Sequence, residues 1–504
     1  MESLHSYVNS IFAGKNILEM NNGLFMLATL VAYFLILLVI SRRAAGRSDN
    51  DTFFRAGRQS SWPLVAFGMI GASISGVSFV SVPGWVAATG MTYLQMCAGF
   101  FVGYVAVAFI LLPLYYRLRL TSIYDYLEMR YGPAAHRTGA LFFLLSKLTG
   151  AAARLYLVCL VLQEFVAAPL GVPYPVTVLL ILLLIWLYTR RGGIQTLVRT
   201  DALQTLCLLL ALGGVMWIAA RQMGLTPGGV VRTVVESPMC RVFEWNASSS
   251  QAFWRQFLSG VFIVIVMTGL DQDMMQKNLT CRTLREAQKD MCVYGISFLP
   301  VNLLFLALGI LLHAFCASQG IVPPASGDEL LPSLVASGAL GTLVILPFTI
   351  GIVAAAFSSA DSAVTAITTS CCIDLLGIER RNLPAGRAER IRRRVHLLTV
   401  AAFLGCILLF RALNSTSVID AIYVMASYTY GPLLGLYVFG LFTHRRAADC
   451  AVPFVALAAP LLCALLDYAA PRLWGYVFGY ELLMLNGLLT MAGLWVFSSR
   501  EVPN

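Results

Sequence analysis

Charge is scarce in this sequence. Asp, Glu, Lys and Arg make up 12% of its 504 residues, against roughly 25% in a soluble globular chain. A water-soluble globule, which needs a charged surface, is thereby excluded. Histidine is nearly absent as well: the five present are scattered singly, with no HExxH and no CxxC, which excludes a zinc-type catalytic or structural centre. Period-2 alternation is missing from the apolar runs, and with it the signature of a membrane β-barrel. The first apolar run has no basic leader, only the polar and acidic start Met1 to Asn22. It reads as a true span and not a cleaved signal. The 12 cysteines lie mostly inside apolar runs, as Cys97, Cys159, Cys207 and Cys406 do, where they act as small packing residues. Cys240 and Cys316 read as outward loop positions able to pair.

What is abundant is apolar surface: 59% of the residues are hydrophobic, in runs of 18 or more that recur along the chain. The fold class is therefore an all-α polytopic membrane protein. About thirteen spans are expected, centred near Ala32, Ile74, Val107, Gly150, Ile181, Ala211, Val266, Phe305, Ala355, Leu404, Tyr430, Leu457 and Leu488. The net charge of +10 is distributed by topology. Arg42, Arg43, Arg47, Arg55 and Arg58 follow span 1, and Arg117, Arg119, Arg130 and Arg137 follow span 3. "TRRGG", "QKNLTCRTLREAQKD", "ERRNLPAGRAERIRRR" and "HRR" follow spans 5, 7, 9 and 11. These alternate loops share one face, the cytoplasmic one. The N-terminus then lies outside, the C-terminus inside, and the chain in a plasma or inner membrane. Basic residues placed this way belong to a bilayer and not to nucleic-acid binding. "NAS" at Asn246 lies in the longest outer loop, and no soluble output domain is evident at either end.

Four stretches carry chemistry. "AAAFSSADSAVTAITTS" (354–370) places a carboxylate, Asp361, and the hydroxyls of Ser358, Ser359, Ser362 and Thr365 in an apolar run. Such an aspartate costs roughly 2.5–3.5 kcal/mol at a bilayer centre. At about 100° per residue all of them, with Ala355, share an arc of roughly 160°. Small residues that let helices approach are the plain alternative, but five oxygen-bearing side chains on one face suit a hard cation. Span 2, "FGMIGASISGVSFVSVPGW", gathers Gly71, Gly76 and Pro83-Gly84. It reads as a broken helix whose freed carbonyls line a cavity, or as a kink. Span 7 closes on "GLDQDMMQKN", with Asp271 and Asp273 at its cytoplasmic end. It stands five spans after span 2, the separation an inverted five-plus-five repeat requires. "YTRRGGIQTLVRTDALQT" sets Asp201 and Gln204 just inside span 6, where Asp201 is either a ligand or a helix cap.

Together these stretches resemble the sodium:solute symporter family, which includes sodium-coupled glucose, proline, iodide, vitamin and sialic acid transporters. "GGIQTLVRTDALQ", "GLDQDMMQKNLTCRTLREAQK" and "AAAFSSADS" are similar to three of its motifs, in order and on the right spans. The resemblance covers about 50–445 and implies a leucine-transporter-like core of ten helices (51–445), after an extra N-terminal helix and loop (1–50) and before two extra helices (446–504). It implies a main sodium site built from the Gly71, Ile74 and Ala355 carbonyls and the Ser358 and Ser359 hydroxyls. It also implies a second site, found in some members, on Asp201, Ser358, Asp361 and Ser362. Asp361 stands where some relatives carry serine or a small apolar residue, which favours a second cation or a bound proton there. Na⁺ is the coupling ion and no other cofactor is implied.

For the solute, Arg154 lies mid-span in "SKLTGAAARLYLV". It can grip a carboxylate in a bidentate fork, pair with Asp361 or another acid, or snorkel. Ser75, Ser78, Gln95, Tyr423, Ser427 and Tyr430 are candidates to line the same cavity. The polar pattern of sugar transporters on span 11 is not evident, which argues against a sugar. The expected function is sodium-driven uptake of a small organic solute or anion by alternating access. A sodium-binding channel or sensor is the rival. An enzyme would need a nucleophile beside a base, and none is found.

Overall fold

The computed structural model describes residues 23–43, 50–381, 384–413 and 418–500. The polar start 1–22, Arg47 and the Asn382-Leu383 pair of the loop after span 9 lie outside the described residues. In lipid a chain must satisfy its backbone internally, and these apolar runs do so as helices. In order they are α1 (Gly23–Arg43), the bent pair α2 (Trp62–Ser73) and α3 (Gly76–Thr89), α4 (Tyr93–Arg117), α5 (Pro133–Leu162), α6 (Tyr174–Arg190) and α7 (Gly193–Gln222). Then come the second bent pair α8 (Phe253–Gly269) and α9 (Gln272–Asn278), α10 (Leu284–Gln319) and α11 (Ile345–Ser370). The chain continues with α12 (Ala385–Leu413), α13 (Val418–Phe442), α14 (Val452–Leu473) and α15 (Leu482–Val496).

Among the described residues nine helices are long and apolar enough to cross a membrane, or up to eleven if each bent pair is one crossing. α6 and α15 are shorter apolar helices. Each of the expected span centres falls on one of these helices or on a bent pair. Large apolar side chains, Leu183, Leu210, Leu398, Leu461 and Leu465 among them, are exposed on the outside of the bundle, where lipid covers them.

The two bends, 60° at α2/α3 and 69° at α8/α9, position the site. The first falls at Ile74-Ser75, whose ψ values of 94° and 171° leave the helix. It does not fall at Pro83-Gly84, which continues inside α3. Those two residues serve packing instead. A Cβ on Gly84 would lie 2.1 Å from the Gly327 carbonyl oxygen, and one on Gly309 of α10 would lie 2.0 Å from that of Pro83. At the second bend the Leu270 amide reaches back five residues to the Ile265 carbonyl (3.0 Å). Asp271 then caps α9, accepting from the amides of Asp273 (2.9 Å) and Met274 (3.3 Å).

Three expectations change. Asp271 and Asp273 sit at the break within the bundle, not at a cytoplasmic helix end. Asp201 lies two turns inside α7 and caps nothing. Its helix starts at Gly193, which turns at φ 48° where a Cβ would lie 2.6 Å from Phe53. Cys316 is buried within α10 and both it and Cys240 are free thiols, so they are not a loop-to-loop pair.

Candidate ion and solute site

α2, α7 and α11 meet because α2 presents glycine to α7. A Cβ on Gly71 would stand 2.2 Å from Thr205 Oγ1, and one on Gly68 would stand 3.1 Å from the Asp201 Cβ. The Gly71 amide donates to Thr205 Oγ1 at 3.1 Å. The end of α2 leaves its last carbonyls without amide partners of the following turn. Gly71 belongs to that turn, and Ile74 is its non-helical cap. Opposite stands α11, buried along nearly its whole length. Ser359 Oγ is buried, has no hydrogen-bond partner among the described residues, and faces the central cavity. A buried hydroxyl without a partner is costly, and a cation would satisfy it. Ser358 Oγ donates to Asp201 Oδ1 at 3.1 Å. The side-chain donors are oxygen throughout, two hydroxyls and a carboxylate, which suits a hard cation such as Na⁺.

One turn further along α11 the second set is also assembled, around a residue the sequence reading passed over. Lys277, 1% exposed, places Nζ 2.8 Å from Asp201 Oδ2, 2.5 Å from Ser362 Oγ and 3.8 Å from Asp273 Oδ1. Counted there as a loop charge, it is the internal cation of this cluster. Asp361 does not pair with Arg154. Its Oδ2 accepts from the Tyr188 hydroxyl (2.6 Å) and its Oδ1 from Ser362 (3.3 Å). Asp201 thus has an ammonium partner, whereas Asp361 is held by hydroxyls alone.

A cavity of about 110 Å³ adjoins Ser359. Of the candidate solute residues, Arg154, Ser75, Ser78, Tyr423 and Tyr430 line it. Gln95 and Ser427 do not. Gln95 Nε2 donates to the Thr92 and Gln251 carbonyls while its Oε1 accepts from the Glu244 amide, tying α4 to the loop before α8. Ser427 Oγ bonds back to the Tyr423 carbonyl within α13. Sequence reading missed Lys147, which pairs with Asp271 (3.1 Å) and Asp273 (2.7 Å) in this cavity. Tyr430 also donates to Asp271, at 2.6 Å. A signal was present: Lys147 and Arg154 are seven residues apart, two turns, on one face of α5. The two cations differ in partners. Lys147 has two carboxylates, and Arg154 has no hydrogen bond or ion pair with any described residue.

Tyr93 borders both this cavity and a second one of about 580 Å³ lined by Trp85, Gln251, His313 and Tyr480. Its hydroxyl lies 3.2 Å from that of Tyr423, whose ring meets Tyr480 at 5.0 Å. The tyrosines form a partition between the two cavities.

The chain is 26% identical over 433 residues to the human sodium/iodide cotransporter, covering 83% of this chain and 65% of that protein. It is 23% identical over 459 residues to a sodium/sialic acid symporter of Proteus mirabilis (strain HI4320), covering 85% and 87%. In structure it resembles a substrate-bound, outward-open Na⁺-coupled sialic acid symporter, with TM-score 0.78, 19% identity, and 95% and 99% of the two chains covered. It also resembles a nucleobase-cation-symport-1 family transporter in a closed conformation, with TM-score 0.52 and 13% identity over 88% of this chain and 92% of that one. The family model for the sodium:solute symporter family matches residues 53–454, from just before α2 to the start of α14, and this chain belongs to that family.

Proposed function

We propose that this protein is a sodium-coupled secondary symporter that takes up a small carboxylate-bearing solute by alternating access. The observation that carries the ion is Ser359, a buried hydroxyl of α11 without a hydrogen-bond partner among the described residues, facing the cavity that Ser75 of the α2/α3 break also lines. Sodium is held by Ser358, Ser359 and the carbonyls of Gly71, Ile74 and Ala355. The solute carboxylate meets Arg154, the cavity's cation that makes no ion pair or hydrogen bond with any described residue. Lys147 cannot take that role without releasing Asp271 and Asp273. The tyrosine partition separates the chamber from the outer face.

The finer architecture is part of the same proposal: thirteen crossings, α6 and α15 included, with a ten-helix, leucine-transporter-like core over 51–445. The two bent pairs are the corresponding first helices of its inverted halves. The N-terminus is outside and the C-terminus cytoplasmic, in a plasma or inner membrane. A second cation, Na⁺ or H⁺, binds at Asp361, beside the Asp201–Lys277 pair, with Ser358 and Ser362 supplying hydroxyls. These residues are no arrangement for enzyme chemistry, and the family is one of transporters.

Reconstitution into sealed vesicles tests the proposal. An inward sodium gradient should drive accumulation of small carboxylates above the equilibrium level. Sodium flux that never concentrates any solute would favour the channel reading.

A further inference from the structure

A separate cavity of about 270 Å³ lies far from the tyrosine partition, at the end of α6, where Phe53, Trp186, Arg190, Arg392, Arg393 and His396 line it. Among the described residues three guanidinium groups and no carboxylate line this space, and Glu389, which is not part of the lining, meets two of them, Arg392 at 3.6 Å and Arg393 at 2.6 Å. Its floor is built. Arg392 is 1% exposed with its guanidinium 4.4 Å above the Phe53 ring, and His396 is fixed between the Thr189 and Thr368 hydroxyls at 3.0 Å each. Its rim is available. Arg393 has a side chain 61% exposed and meets Glu389 at 2.6 Å. Arg190 has no ion pair or hydrogen bond with any described residue, and its guanidinium stacks on Trp186 at 4.9 Å.

The surroundings deepen the positive field. The first turns of α12 carry Arg387, Arg390, Arg392, Arg393 and Arg394 against one acid, Glu389. Arginines there repel one another across a turn and oppose the positive end of the helix dipole. Just along the same helices the surface turns apolar: Leu183 on α6 and Leu397 and Leu398 on α12 are exposed. Trp186 stands at that boundary, the depth at which tryptophan anchors a helix to the interface.

We propose that this cavity binds the phosphodiester of an anionic phospholipid, its acyl chains lying along the exposed leucines of α6 and α12. Phosphate and guanidinium match in charge and in fork geometry. A free phosphate shares that chemistry but has no use for the leucine surface, and the adjoining apolar face therefore selects lipid. On the orientation proposed above this is the cytoplasmic leaflet, where anionic lipid concentrates.

The test uses the full-length protein, purified in detergent and stripped of lipid, with thermal stability and native mass spectrometry as readouts. Phosphatidylglycerol, phosphatidylcholine and inorganic phosphate are added separately. Phosphatidylglycerol should bind and stabilise wild type, and the other two should not. The Arg190→Gln/Arg393→Gln double variant alters two rim residues and should remain monodisperse, with affinity for phosphatidylglycerol on the order of thirtyfold weaker. Arg472→Gln, on the exposed end of α14, should bind like wild type. Equal binding of phosphatidylglycerol by wild type and the double variant would overturn the site. Equal stabilisation by inorganic phosphate would overturn the lipid assignment. Should the double variant aggregate, Arg190→Lys, which keeps the charge but loses the planar fork, should still weaken binding measurably. Unchanged binding in Arg190→Lys would then overturn the proposal.

Discussion

Ser359 and Ser358 sit side by side on α11 yet differ in what they touch. Ser358 has Asp201 as an acceptor, while Ser359 has none. Removing the Ser359 hydroxyl therefore breaks no hydrogen bond with any described residue and, on the function proposed above, removes a sodium ligand only. Ser359→Ala should keep its expression and raise the half-saturating sodium concentration for uptake on the order of tenfold. A sodium titration of uptake reads this directly. Arg154→Lys should keep sodium binding and lose solute affinity, because an ammonium cannot reproduce the planar fork. Uptake that falls only with the amount of protein in the membrane would assign Arg154 a structural role. At the second cluster Lys277 balances one of two carboxylates, so Asp361 is the group with a charge to neutralise. Sodium uptake measured at several pH values should show a Hill coefficient above one in wild type. In Asp361→Asn the coefficient should fall toward one and the pH dependence should flatten. A wild-type coefficient near one, with the same pH profile in the variant, would reject a second ion.

At the scale of the element, α4 and α8 pack backbone to backbone. A Cβ on Gly99 would lie 2.0 Å from the Phe257 carbonyl oxygen, one on Gly103 2.7 Å from that of Val261, and one on Gly260 2.3 Å from that of Met96. Gly99 and Gly103 are four apart, a small-residue seam of the kind membrane helices use. The seam holds the half of the bent pair that ends in Asp271. Gly99→Val must separate the helices and should destabilise by about 1–3 kcal/mol or more, with a melting temperature lowered to match. Its effect on uptake should exceed its effect on abundance, because Asp271 follows α8 and its ion pair with Lys147 of α5 is disturbed. The bends themselves follow from local chemistry only in part. Gly71 and Gly76 bracket the first break, whereas Pro83-Gly84, the stronger breaker by composition, stays helical. Its neighbours Gly309 and Gly327 leave room for the backbone there, and that is a long-range fact.

Across the whole molecule, the face proposed as cytoplasmic is tied by charged residues far apart in sequence. Arg380, after α11, clasps Glu128 at 2.5 and 2.7 Å and Asp125 at 3.2 Å, both on the helix between α4 and α5. Arg55 reaches Glu379 at 2.9 Å. The Arg380 hydrogen bonds hold Glu128 down to about 2, against its partial burial, with His136 adding to the effect. A carboxyl lowered in the folded state contributes stability above its unfolded pKa, here near 4.5, and loses it as pH falls toward about 2. The contribution should thus be constant from pH 6 to 8. The Arg380 side chain is 57% exposed, so Arg380→Gln should cost no more than about 1 kcal/mol, and thermal melts at pH 6 and pH 8 should show the same small difference from wild type. Orientation is testable on the same scale. Asn246→Cys, exposed in the loop before α8, should react with an impermeant maleimide from outside intact cells, and the exposed native Cys450 should react only after the membrane is opened. The reverse pattern would invert the topology.

Much of this was legible in the chain alone. Apolar run lengths give the crossings because lipid demands long, self-satisfied helices. The placement of arginines gives a proposed orientation through its bias across the bilayer. The oxygen-rich face of α11 is legible because helical periodicity is local, and three motifs in order carried the family. What the sequence could not disclose is which buried charges meet. Lys277 reads as a loop lysine beside a motif, and only the approach of α9 to α7 and α11 makes it the partner of Asp201. Asp271 reads as a helix end until the bend turns it into the cavity. Lys147 and Arg154 look alike on one helix face, and only Lys147 comes within ion-pair distance of Asp271 and Asp273, which is why Arg154 is the one proposed to meet the solute. Coulomb and hydrogen-bond partners are selected by distances of a few ångströms between residues a hundred positions apart, and those distances exist only once the helices have packed.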